Sequence, residues 1–286
     1  MEPGLNVILT VDWEGLSLEI ENLQRIQCFK ERWGVPLVHY MNPAYFTQSS
    51  LKEKSISLVI QNLIKKDDEL GLHLHGPRHF IEATGVPFRA QPSFAVGGDS
   101  YNGAYRGQEV MLHTYSKDEF AQILDFSLDL MKSSGFTDPK SFRAGGWMMD
   151  EEKIETLFEF GIQVDSSAAP AQSLDGSCWQ GESLQRYLSI LWGDIQETSQ
   201  PYWCADSKVL EVPNNLGAID YWRSEKIADK ASQCLSLARE KNHVVVVTAH
   251  QESANKYFSY LDNFMEELAK EKSIPVNFVT HKELLH

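Results

Sequence analysis

Basic residues are scarce in this chain. Its 286 residues include 26 Lys and Arg against 40 Asp and Glu, a formal charge of −14. A surface that is acidic on average gives no general grip on a phosphate backbone, which argues against a nucleic-acid binder. Long apolar runs are missing too: none exceeds four residues, as at Val244–Val247, where a membrane helix needs roughly 20. Cysteine is sparse, with Cys28, Cys178, Cys204 and Cys234 far apart and no C-x-x-C. A disulfide framework or thiolate metal site is therefore disfavoured, and the four read as reduced and structural. Repeats, low-complexity tracts and long runs of one charge are also absent, so nothing marks a place to divide the chain, and one domain over 1–286 is expected. The opening MEPGLNVILTVDWEG has an acidic residue where an export signal is basic, which points to the cytoplasm.

What is present is an ordinary globular composition, 42% apolar and 23% charged, enough for a packed core. Apolar β-rich runs alternate with amphipathic helical ones: Leu5 to Val11, then Ser17 to Trp33; Val35 to Met41, then Leu51 to Lys66; Leu70 to Leu74, then Ser116 to Ser134. Ser141 to Arg143 precedes a helix over Asp150 to Phe160, and Ile162 to Asp165 follows. Tyr187 to Trp192 and Val209 to Val212 form a strand-like pair before a helix over Ser224 to Lys241. The chain closes on Val244 to Ala249, Lys256 to Lys270 and Ile274 to Val279. Ser116 with Glu119 makes a capping box, and Gly135 ends that helix. Some seven βα units predict a mainly parallel sheet closed or nearly closed into a barrel. Loop insertions at 76–115 and 166–187 break the rhythm; segments of this length read either as a wall over a substrate or as structural additions.

Ionisable residues gather at the C-terminal ends of these strands, where barrel function concentrates. Asp12 and Glu14 in TVDWEG share a face, as do His73 and His75 in GLHLHG. Arg143, Asp165 and His250 end three further strands. Two imidazoles and a carboxylate make a three-ligand site with a position left for water, as in catalytic zinc. A second carboxylate beside it could take the water proton, so Asp12 and Glu14 suit the roles of base and ligand in either order.

The order of these motifs resembles the polysaccharide deacetylase family with the NodB homology domain, over most of the chain. TVDWEG is similar to its first motif, ELGLHLHGPRH to its paired metal histidines, RAGGWMMDEEKIETLFEFGIQVDSS to its arginine motif, and VVVVTAH to its last, histidine-ended strand. NFVTHKELL resembles the family's closing strand and helix. The chain departs from the common form in three places. Trp13 separates the first two carboxylates, the second of which is Glu; the arginine motif lacks its proline; and the common spacing of histidines would select His75 and His79. Pro77 disfavours the helical turn that would join His75 to His79, so His73 and His75 are preferred and His79 is held in reserve.

The resemblance implies a distorted (β/α)7–8 barrel that binds one divalent metal ion, zinc first, through Glu14, His73 and His75. It makes Asp12 the base, with Arg143 holding it ionised, and His250 the acid. The Gly146 N–H would face the oxyanion, with Trp147 beside it. The implied activity is removal of an acetyl group from an N-acetylated sugar, with a cytoplasmic glycan precursor as the expected substrate. Tyr101, Tyr105 and Trp147 are candidates for stacking on sugar faces. Two rivals are an amidohydrolase-type enzyme, although that class puts H-x-H on its first strand, and a non-catalytic carbohydrate-binding barrel. The sequence does not specify an oligomeric state.

Overall fold

The computed structural model describes residues 3–48, 53–89, 111–204 and 208–285. Its first half runs β1 (Gly4–Asp12), α1 (Ile20–Trp33), β2 (Val38–Met41), α2 (Glu53–Leu63), β3 (Glu69–Leu74), α3 (Arg78–Ala83), α4 (Lys117–Ser133) and β4 (Ser141–Ala144). The second continues α5 (Glu151–Glu159), β5 (Val164–Asp165), α6 (Ser183–Leu191), β6 (Tyr202–Trp203), β7 (Leu210–Glu211), α7 (Ile227–Glu240), β8 (Asn242–His250), α8 (Ala254–Ala269) and β9 (Val276–Phe278). The strands form one sheet in the order β6-β7-β5-β4-β3-β2-β1-β8, with β9 also on β1. All pairings are parallel except β6 with β7.

Strand parity explains the two layers of core. In β1, Leu5, Val7, Leu9 and Val11 join the large cluster beneath the helices, while Ile8 belongs to a smaller one with Val38, Tyr40, Val164, Leu210, Val212, Val244 and Val246. The second cluster is the barrel interior. Strands buried on both faces need the nearly continuous apolar runs seen in the sequence. Tyr40 fills the interior so fully that a Cβ on Gly71 would lie 2.5 Å from its ring. Leu284 and Leu285, beyond β9, pack against the same cluster and plug its lower end.

The seam between β7 and β8 is closed by irregular chain. Val212 N donates to Asp165 O at 2.8 Å on the β5 side, whereas Leu216 N donates to Val246 O at 3.2 Å and Thr248 N to Gly217 O at 3.0 Å on the β8 side. The segment 212–218 thus crosses the gap, and a parallel bridge joins Ala218 to Thr248. Outside, α1 buries Leu23, Ile26 and Phe29 on one stripe and stops at left-handed Gly34. Phe29 meets Phe258 of α8 edge to face with centroids 5.5 Å apart.

Several local expectations hold. The capping box of α4 is present, with Ser116 and Glu119 bonded reciprocally, and Gly135 follows its end at φ +86°. Tyr187 to Trp192 is a correction: it lies largely in α6, not a strand, because Leu184 and Leu188 are the buried pair, four apart, and Ile190 is exposed. The 76–115 stretch begins with α3 and ends with a 3-10 turn at Leu112–Thr114; Tyr101 and Tyr105 lie outside the described residues. Cys28 and Cys178 are exposed and Cys204 is half-buried, so only Cys234 fits a buried structural role. Among the described residues no helix is long and apolar enough to cross a membrane.

Candidate metal-centred active site

The sheet register sets the site. Asp12 of β1 lies beside His250 of β8, and His73 of β3 beside Arg143 of β4, all at the C-terminal ends of their strands. Glu14 and His75 follow two residues on, and Asp12, Glu14, His73, His75 and His250 converge on a cavity of about 440 Å³ that Gly146 and Trp147 also line.

Ligand atoms of Glu14, His73 and His75 all lie within 4.8 Å of one another. His75 Nε2 is 2.7 Å from Glu14 Oε2, and His73 Nε2 is 3.5 Å from Glu14 Oε1. His73 Nδ1 is 2.9 Å from the Arg143 carbonyl, an acceptor only, so Nδ1 carries the proton and Nε2 presents a bare lone pair. That Nε2 is buried with no hydrogen-bond partner. A lone pair aimed at a carboxylate is two acceptors face to face, an arrangement that a cation between them satisfies. The residues therefore fit a divalent metal, with the second contact of His73 fixing its tautomer. Burial alone would raise the Glu14 pKa, but the charge of His75, the hydrogen bond from His75 and the charge of His250 hold it well below its ordinary value. Gly145 is required here: a Cβ on it would lie 2.5 Å from the His75 ring.

Arg143 sits under this cluster, fully buried. Its Nη1 donates to Asp12 Oδ1 at 2.8 Å, Thr10 Oγ1 at 2.7 Å and Thr248 Oγ1 at 2.8 Å. Nε and Nη2 reach the Ser166 carbonyl and hydroxyl, and the guanidinium lies 4.4 Å over the Tyr40 ring. It ties four strand ends and the Ser166 turn together and aims Asp12 into the cavity.

On the opposite wall, His250 Nδ1 is 3.1 Å from Asp220 Oδ2 and its Nε2 is 3.6 Å from Glu14 Oε1. Burial pushes the His250 pKa down, but the charge and hydrogen bond of Asp220, with the charges of Glu14 and Asp12, lift it to about 10. Glu252 lines the same cavity, and burial together with the charge of Glu14 pushes it up to about 7. Sequence reasoning passed over both carboxylates. Asp220 falls in a 3-10 turn at Ile219–Tyr221 just after the seam-closing segment, with no periodic signal, whereas Glu252 stands two residues past His250 and was open to the same parity argument as Glu14.

Three expected positions are placed elsewhere or differently. His79 is exposed on α3, its ring 2.9 Å from Thr47 Oγ1, outside the ligand group. Asp165 faces away from the barrel axis, since its neighbour Val164 occupies the interior. It is buried beside Glu211, and burial lifts Asp165 to about 6 and Glu211 well above its ordinary value. Trp147 is only 4% exposed, too enclosed to offer a broad stacking face, and has φ 59°, a costly conformation for a bulky residue. The half-buried Tyr221 lies between Trp147 and His250, with centroids 6.3 and 6.2 Å away. Residues Gly176–Trp179 and Leu184 of the second insertion line the cavity, which favours a wall over a mere structural addition.

Neither protein-family models nor curated sequences match the chain. Solved structures do. A Mycobacterium smegmatis protein assigned as a polysaccharide deacetylase superposes with a TM-score of 0.58 at 13% identity, over 99% of this chain and 90% of that one. A 4-alpha-glucanotransferase from Thermococcus litoralis gives 0.55 at 13% identity, over 100% of this chain and 40% of that one. A CE4 family pseudoenzyme from Bacillus anthracis gives 0.51 at 12% identity, over 100% and 70%. What the chain shares with them is architecture: it has the distorted (β/α) barrel of the NodB, or polysaccharide deacetylase, type.

Proposed function

We propose that the chain, acting as one barrel domain, is a metal-dependent deacetylase that hydrolyses the acetamido group of an N-acetylated sugar or glycan precursor. The observation that carries this reading is the buried lone pair of His73, aimed at Glu14 beside His75, in a cavity where Asp12 and His250 also end adjacent strands. The barrel itself also serves a transferase and a pseudoenzyme, so the side chains carry the argument and the fold does not.

Glu14, His73 and His75 would hold the ion, zinc by its two imidazoles and one carboxylate. Such an ion supplies Lewis acidity, lowering the pKa of water from about 15.7 towards about 7 and polarising the amide carbonyl. Asp12, held in place by Arg143 at 2.8 Å, takes the proton from the attacking water. His250, kept protonated by Asp220, delivers a proton to the departing amine nitrogen. The Gly146 N–H is our candidate donor to the oxyanion, a contact typically worth about 2.7–4 kcal/mol. A cavity of about 440 Å³ is within the ordinary range for a small ligand. Among the described residues, Asp12, Glu14, Asp220 and Glu252 line it and no Lys or Arg does, which suits a neutral sugar over an anionic one.

The test pairs metal analysis with acetate release from N-acetylglucosamine and its short oligosaccharides. His73→Ala loses the bound ion and turnover together, whereas Asp12→Asn keeps the ion and loses about 10²–10⁴-fold in kcat. Unchanged acetate release after the metal is stripped refutes the mechanism. Sugar binding with no acetate release would favour the non-catalytic barrel.

A further inference from the structure

Glu14 does not lie on a strand. β1 ends at Asp12, and after Trp13 N donates to Tyr40 O at 2.9 Å the backbone leaves the sheet ladder. A ligand carried on such a turn is only as well placed as the turn itself, and a metal site tolerates little error in its ligands.

Side chains grip the turn from two sides: Asn42 Nδ2 donates to Glu14 O at 2.9 Å and Gln48 Nε2 to Gly15 O, while Glu252 accepts from the turn's backbone N–H groups. Glu14 N donates to Glu252 Oε2 at 3.2 Å, and Leu16 N lies 3.4 Å from Glu252 Oε1. The same carboxylate accepts from the buried Tyr45 hydroxyl. With its amide turned to satisfy its neighbours, Gln251 donates to Glu252 Oε1 at 3.2 Å and to Ser17 O at 3.0 Å. Glu252 is itself anchored, its carbonyl accepting from Asn22 Nδ2 of α1 at 2.8 Å. It also stands two residues beyond His250, on the chain that leaves β8.

We infer that Glu252 is a positioning residue for the metal centre: it fixes the Glu14 turn against the end of β8, so that the carboxylate of Glu14 meets His73 and His75 in one geometry and keeps its distance from His250. Glu252 does not itself ligate the ion. Its contacts to the turn are to backbone N–H groups, which side-chain changes at Glu14 leave intact and which Glu252→Ala removes together. This inference rests on the metal site proposed above.

The experiment measures Zn2+ affinity of the full chain by chelator competition, with the melting temperature of the metal-free protein recorded alongside. Glu252→Ala binds Zn2+ about 10–100-fold more weakly, as for other partners of metal ligands. Glu252→Gln keeps one acceptor oxygen and falls between Ala and wild type. Tyr45→Phe, which removes one donor to the carboxylate and leaves both turn contacts, stays nearer wild type than Ala does. Should Glu252→Ala fail to fold, the weakened Zn2+ affinity of Glu252→Gln carries the test. A lower melting temperature with Zn2+ affinity unchanged in both Glu252 variants means that Glu252 is merely structural and overturns this inference alone. A wild-type chain that binds no Zn2+ overturns it together with the proposed function.

Discussion

Removing Arg143 tests the arrangement from beneath. The guanidinium is fully buried and makes five hydrogen bonds, one of them to the equally enclosed Asp12 at 2.8 Å. Arg143→Met replaces it with an apolar chain of similar reach and leaves the Asp12 charge without its cation. Breaking a buried pair from one side typically costs about 3–5 kcal/mol, a large share of the roughly 5–15 kcal/mol that holds a domain folded. At roughly 2–4 °C per kcal/mol for a chain of this size, the melting temperature falls by about 6–20 °C. Asp12→Asn in the same background removes the stranded charge, so the double variant recovers part of the loss: the two substitutions couple by about 0.5–3 kcal/mol. The assay is urea unfolding of wild type, both single variants and the double, without metal. Additive losses within about 0.5 kcal/mol would mean that the two groups do not depend on each other, and the account of Arg143 as the support for Asp12 fails.

Three further outcomes follow from the same geometry. The His250 pKa is raised from its ordinary 6.5 to about 10, against the pull of burial, chiefly by Asp220; the stabilisation is therefore complete below pH 6.5 and is lost as pH climbs towards 10. Thermal melts of metal-free Asp220→Asn and wild type across that window should converge at the alkaline end, and parallel curves would refute the pairing. Gly145→Ala places a Cβ 2.5 Å from the His75 ring; the overpacking costs about 1–3 kcal/mol and weakens Zn2+ binding by chelator competition, so an unchanged affinity would show that His75 is not held there. His79→Ala leaves metal content at the wild-type level, because that ring is exposed beside Thr47; a loss of metal on elemental analysis would return His79 to the ligand set.

The alternation of side chains along a strand made much of the site legible. Asp12 with Glu14 and His73 with His75 could be paired from their spacing alone, and each pair does face one cavity. Position at a strand end alone singled out Asp165 as well, although its neighbour Val164 is the one that fills the interior. For α6, apolar residues in a short run fit either period, and burial of Leu184 and Leu188 decided for the helix.

By itself the sequence determined the alternation of strands and helices, the capped start of α4 and the clustering of ionisable groups at strand ends, because each depends on residues within a turn or two of one another. Only the tertiary structure decided that β1 lies between β2 and β8, that an irregular segment crosses the seam and delivers Asp220 to His250, and that Glu252 grips the Glu14 turn from 238 positions away. Those contacts join parts of the chain remote in sequence, and no local pattern encodes which strand ends up beside which; packing of the whole sheet around one interior does.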